Sequence, residues 1–173
     1  MPPTAAMRRK REEIVREHMD SENRHEFDAT LDTFEHPRYE IIPTGDVWDG
    51  EEAVRGYFVE SRTAFPDQRN EIIQLHHMDD GVAAEFILKG THEGELRGIA
   101  PTGKSFECRM VALFLFEPDS DHIVCERVYF DQLTVLEQLG VARSPTSLTG
   151  RLETLIGHPV TIGRGLVRRV TGR

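Results

Sequence analysis

Cys125-Glu126-Arg127-Val128-Tyr129-Phe130-Asp131-Gln132-Leu133-Thr134-Val135-Leu136-Glu137-Gln138-Leu139-Gly140 is the stretch that decides how this 173-residue chain is read. Its first half is rich in β-branched and aromatic residues and predicts a strand. From Asp131 onward Leu133, Leu136 and Leu139 recur at helical spacing, and Gly140 supplies a helix C-cap. Asp131 therefore stands where a strand hands over to a helix, a position that suits an N-cap. On a regular strand it shares a face with Arg127 and Tyr129, so an acid, a cation and a phenol point one way. Two readings follow: a capped junction with a local ion pair, or the floor of a reactive pocket.

Upstream of this junction the pattern is β. The segments Glu71 to Met78 and Val82 to Glu93 are expected to form a hairpin through Asp79-Asp80-Gly81. In the longer strand Val82, Ala84, Phe86, Leu88, Gly90 and His92 share one face. A Gly/Pro-rich loop from Gly94 to Gly103 leads to a further strand, Ser105 to Phe116. Before the strands come helices. Ile14, Val15, His18 and Met19 form the inward stripe of one over residues 7–22. Phe27, Leu31 and Phe34 mark one face of a second over residues 24–34, which His36-Pro37 ends. A short strand, Arg38 to Ile42, and a turn at Pro43-Thr44-Gly45 follow. Asp49-Gly50-Glu51-Glu52 has the form of a capping box opening a helix to about Ala64 that buries Ala53, Val54, Tyr57 and Phe58. The order α-α-β-α-β-β-β-β-α predicts an α+β domain, with helices packed on one face of a curved antiparallel meander and a pocket between the layers.

Length and composition suit one domain with a core large enough to enclose that pocket. The net charge of −9 argues against nucleic acid as a partner. It is unevenly spread. Residues 141–173 hold six arginines against Glu153 alone, a balance of +5, which leaves −14 for the rest. We therefore expect a domain over 1–140 and a basic, partly helical extension over 141–173. The extension carries Leu148, Leu152, Leu155 and Ile156 at amphipathic spacing and is expected to pack back on the domain. Cys108 and Cys125 both fall in expected strands and read as free buried thiols. No apolar run approaches the ~20 residues of a membrane span, and the first ten residues lack a signal-peptide core, so a cytoplasmic location is expected.

Thr91-His92-Glu93-Gly94, the loop Gly98-Ile99-Ala100-Pro101-Thr102-Gly103-Lys104 and the closing Asp131 to Gln138-Leu139-Gly140 occur in that order. Together they resemble the SnoaL-like polyketide (ester) cyclase branch of the NTF2-like superfamily, over about residues 10–140. The resemblance implies a cone-shaped α+β fold around a deep apolar cavity, and a homodimer through the outer sheet face. It also implies ring closure by an intramolecular aldol reaction, cofactor-independent and without metal. The family's general acid/base corresponds to Asp131. The strand Val111 to Phe116 carries no histidine where the cyclases have one.

The candidate catalytic residues are thus Asp131, His92 and Tyr129, and the candidate substrate-binding residues Arg127, Trp48, Tyr57, Phe58 and Phe86. An apolar cavity would raise the Asp131 pKa toward a useful range, and Arg127 would pull it back. His92 reads equally as a structural histidine, Tyr129 as a core cap, and the aromatics as ordinary core. His76-His77 beside Asp79-Asp80 is no metal site, because neighbouring strand residues face opposite ways. The expected function is acid/base chemistry on a hydrophobic, carbonyl-type small molecule, cyclase- or isomerase-like. The alternatives are a non-catalytic module holding a small ligand, and an epoxide-hydrolase-like enzyme.

Overall fold

Thr4 starts the first helix, its hydroxyl accepting from the Met7 N–H at 3.2 Å. That helix, α1 (Ala5–Asn23), buries Arg11, Val15, His18 and Met19, the i, i+4, i+7, i+8 row expected of one inward face. The structure is a computed structural model and describes residues 3–118 and 120–160. α2 is a single turn (Phe27–Leu31), shorter than the periodicity suggested, and Phe34 beyond it still reaches the core. β1 (Arg38–Ile41) and β2 (Asp46–Asp49) form a small hairpin, and α3 (Glu51–Ala64) buries Val54, Phe58 and Ala64.

β2 was not expected, and its presence changes the start of α3. Pairing of Arg38 with Asp49 draws Asp49 into the strand. Its carboxylate there meets His36 at 2.6 Å and Arg38, and does not fold back over the helix. Gly50 at φ +92° is the N-cap, with no side-chain cap bond, so no capping box forms.

β3 (Arg69–His77), β4 (Gly81–Thr91), β5 (Ser105–Phe116) and β6 (Ile123–Phe130) make the expected antiparallel meander. Gly81 is required at its first turn, since a Cβ there would lie 2.1 Å from the Phe114 carbonyl oxygen. The full sheet has the order β2-β1-β6-β5-β4-β3, and β1 runs parallel to β6. The sheet is therefore mixed, an open, curved layer with the helices on its inner face. α4 (Gln132–Gln138) closes the domain, and Leu139 after it is fully buried.

The core lies between α1, α3 and the inner sheet face. Phe58 and Phe114 are wholly enclosed there, and each such burial contributes about 2–3 kcal/mol. Beyond the domain, α5 (Leu148–Gly157) keeps Leu148, Leu152 and Ile156 86, 59 and 73% exposed. It does not pack back on the domain as expected. The rest of the basic extension, 161–173, lies outside the described residues. Among the described residues no helix is long and apolar enough to cross a membrane.

Candidate active site

Strand pairing assembles the site. β1 and β6 pair with Tyr39 opposite Glu126 and Ile41 opposite Val128, all four on the inner face. β5 sets Phe114 beside Glu126. α1 crosses above and inserts His18, whose ring meets Phe34 and Phe114 edge-on, each at 5.3 Å. A histidine and an acid thus meet at zero and 5% exposure, although 108 residues separate them.

The proton positions follow from the hydrogen bonds. Thr33 donates its hydroxyl proton to the Thr30 carbonyl at 2.7 Å, so it accepts from His18 Nδ1–H at 2.8 Å. Tyr39 donates to Glu22 Oε1 at 3.0 Å, which leaves its oxygen to accept from His18 Nε2 at 2.7 Å. Glu126 Oε2 stands 3.1 Å from the same nitrogen. Both ring nitrogens therefore donate, and the network assigns His18 as an imidazolium. Asn70 donates to Glu22 Oε2 at 3.2 Å.

Burial works against the His18 charge, but the hydrogen bond and charge of Glu126, with the charge of Glu22, outweigh it and raise its pKa. The Glu22 carboxyl is also raised, first by burial and then by the charge of Glu126. Burial followed by the same two carboxylates pushes the Tyr39 phenol well up. Two carboxyls, Glu22 and Glu126, thus face one imidazolium. His18, Glu22 and Glu126 also offer donor atoms within 4.8 Å of one another, the spacing of metal ligands. The Tyr39 hydroxyl already fills the space between His18 Nε2 and Glu22, however.

This cluster lies at the floor of a cavity of about 260 Å³ to which Glu22, Tyr39 and Glu126 all contribute. Its walls are apolar, with Phe86, Leu88, Phe106, Met110, Val128 and Phe130 prominent. Trp48 and Tyr57 line it too, their rings tilted by 33° with centroids 4.5 Å apart.

Of the residues singled out from sequence, Trp48, Tyr57 and Phe86 line this cavity. Phe58 does not; it sits behind, packed edge-on to Tyr39 at 5.4 Å. His92 is fully buried but lies behind Phe65, with Nδ1 facing the Thr102 N–H at 3.3 Å and Nε2 without a partner among the described residues. Arg127, Tyr129 and Asp131 do share a face, but it is the outer one. β6 turns Glu126, Val128 and Phe130 inward, so the alternate residues must point out. Arg127 pairs with Glu40 at 2.5 Å, and Tyr129 is 41% exposed. Asp131 is exposed and caps α4, accepting from the Thr134 hydroxyl at 2.7 Å and the Thr134 N–H at 3.2 Å. Those two bonds hold its carboxyl below its ordinary value.

His18, Glu22, Tyr39 and Glu126 were not singled out as a site. A signal was present: Glu22 follows His18 by four residues, so a polar pair continues an otherwise apolar helix stripe.

The family model for the SnoaL-like polyketide cyclases matches residues 12–139. Among solved structures, one provisionally identified as a SnoaL-like polyketide cyclase, from Jannaschia sp. CCS1, superposes with a TM-score of 0.72 at 17% identity. It covers 83% of this chain and 100% of its own. IdmH from Streptomyces antibioticus, provisionally a polyketide cyclase, gives 0.64 at 23% identity, with 75% and 98% covered. An NTF2-like protein from Burkholderia thailandensis E264 gives 0.61 at 24%, with 73% and 95% covered. At these identities the likeness shows the fold alone. No curated protein matches the chain.

Proposed function

Because the chain belongs to the SnoaL-like polyketide cyclase family, we propose that it is a small enzyme that moves protons on an apolar carbonyl compound held in the cavity. The observation that carries this reading is the buried His18–Glu126 pair, with Glu22 beside it, at the floor of an otherwise apolar chamber. Two carboxyls beside one histidine supply the groups that acid/base chemistry requires. Only Oε2 of Glu126 is engaged by His18. A carbonyl group reaching the floor would accept a hydrogen bond from the Glu22 carboxyl, whose pKa burial raises. Glu126, its charge held by His18, would take the proton from the adjacent carbon. The resulting enolate suits a cyclase- or isomerase-like reaction.

A second reading, a non-catalytic ligand-binding module, draws on one observation. The polar groups of the floor find hydrogen-bond partners within the cluster itself, as in a structural network.

The chain has one tryptophan, Trp48, and it lines the cavity. Titration with a panel of apolar ketones should give a saturable change in its emission. Emission unaltered by every member of the panel would contradict ligand binding at this cavity.

We also propose a homodimer through the outer sheet face, where Val47, Val111 and Tyr129 remain 51, 38 and 41% exposed. Light scattering should give twice the monomer mass at micromolar concentration; a monomer mass removes the proposal.

A further inference from the structure

Residues 94–103 form a flap whose Leu96, Arg97 and Ile99 line the cavity. Its two ends are tied to the body: Glu93 N–H donates to the Ala64 carbonyl at 3.0 Å, and Gly103 N–H to the His92 carbonyl at 2.9 Å. Between them the chain makes a tight turn, with Leu96 and Ile99 exchanging both backbone bonds at 3.0 and 2.9 Å. Leu96 and Ile99 both line the cavity. The turn places Arg97 at φ +48° and Gly98 at φ +83°. Left-handed backbone suits Gly98 but disfavours a residue with a Cβ such as Arg97. A non-glycine held there at a ligand-facing turn points to its side chain as the reason.

That side chain is what ties the middle of the flap, residues 95–101, to the body. Among the described residues, the only hydrogen bonds from 95–101 to the rest of the protein come from the Arg97 guanidinium. Nη1 donates to Asp46 on β2 at 2.6 Å, and Nε donates to Glu60 on α3 at 3.3 Å. The same group lies over the Trp48 ring, 5.7 Å from its centre. Asp46, Trp48 and Glu60 all line the cavity. One cation thus joins the flap to two other elements, β2 and α3.

We infer that the 94–103 flap is a gate over the cavity, latched by Arg97 against Asp46, Glu60 and Trp48, and that ligand exchange requires the latch to release. The apolar Leu96 and Ile99 close the chamber and the ionic contacts set how often it opens. Closure keeps water from the floor while protons move. The gate rests on the cavity being the ligand site.

Hydrogen–deuterium exchange on the full chain tests the gate without any ligand. The wild type, Arg97→Gln and Arg97→Gly are compared at about 0.05 and 0.5 M NaCl, since exposed ion pairs weaken with salt. Arg97→Gly keeps the turn and relieves its backbone, so it guards against a folding defect. Both variants should exchange amides 95–100 about ten-fold faster than the wild type, with β4 and β5 unchanged. High salt should move the wild type toward the variants. In stopped flow, N-phenyl-1-naphthylamine should reach Trp48 faster in the same order. Equal protection of 95–100 in all three proteins overturns the gate, as does protection lost evenly across β4 and β5. A probe that never reaches Trp48 in the wild type counts against the cavity reading, and the exchange result alone then decides the gate.

Discussion

Glu126→Gln should lower turnover of any apolar ketone the protein processes by about a hundred- to ten-thousand-fold, the usual contribution of a positioned acid or base. Glutamine keeps the shape of the side chain and one acceptor for His18, but it cannot take a proton. The substitution also leaves the buried imidazolium without its counter-charge, at a cost of about 1–3 kcal/mol. Stability should fall with activity, but the fold should survive. Asp131→Asn is the control. Asparagine caps a helix about as well as aspartate, and Asp131 is exposed and bonded to Thr134. Turnover and Tm should therefore stay close to wild type. If Asp131→Asn abolishes turnover and Glu126→Gln does not, the chemistry belongs to the strand–helix junction and not to the floor.

The stability of the protein should decline from mildly acidic to alkaline pH. His18 has a folded pKa above its unfolded value. Its contribution is complete below the ordinary imidazole range and is lost as pH rises through the raised folded value. Glu22 is raised too, so the folded state also binds more protons than the unfolded chain above the ordinary carboxylate range. Both groups act in one direction. The carboxylates that lose stability on acidification, Glu40 held down by Arg127 and Asp46 by Thr44 and Arg97, do so only at lower pH. Urea denaturation should thus find greater stability at about pH 6 than at about pH 8.5. Each tenfold difference in proton affinity is about 1.4 kcal/mol, within reach of that measurement. Glu22→Gln mimics the protonated side chain. Relative to the wild type it should become more stable as pH rises, since the raised Glu22 carboxyl ionises in the folded state at a cost that glutamine does not share. A flat profile, or a stability that rises with pH, would contradict this charge assignment.

Local pattern carried most of the fold. The stripe through Val15, His18 and Met19 and the turn at Asp79-Asp80-Gly81 are short-range signals, and the elements they predict are present. β2 was invisible because it is a four-residue strand with an aspartate at each end. The parallel pairing of β1 with β6 joins segments more than eighty residues apart, which no local periodicity encodes. That pairing also decided the site. The parity of Arg127, Tyr129 and Asp131 was legible in β6, but the direction they face was not. Each face of the strand carries apolar and charged residues, and Glu126 looks like the solvent side until His18 from α1 is placed against it. The burial of His92 at the end of the β4 face was legible, whereas Phe65 standing between it and the cavity was not.

The central claim is that the cavity floor stores a proton on His18, held by Glu126 and by Thr33 behind it. Nitrogen-15 NMR of histidine-labelled protein observes this directly, without a substrate. In the wild type the fully buried His18 should show both ring nitrogens protonated at pH 7 and titrate above the ordinary imidazole range. In Glu126→Gln the same signal should move to lower pH. A His18 that is neutral at pH 7 with one bare nitrogen, or one that titrates identically in both proteins, would contradict the account.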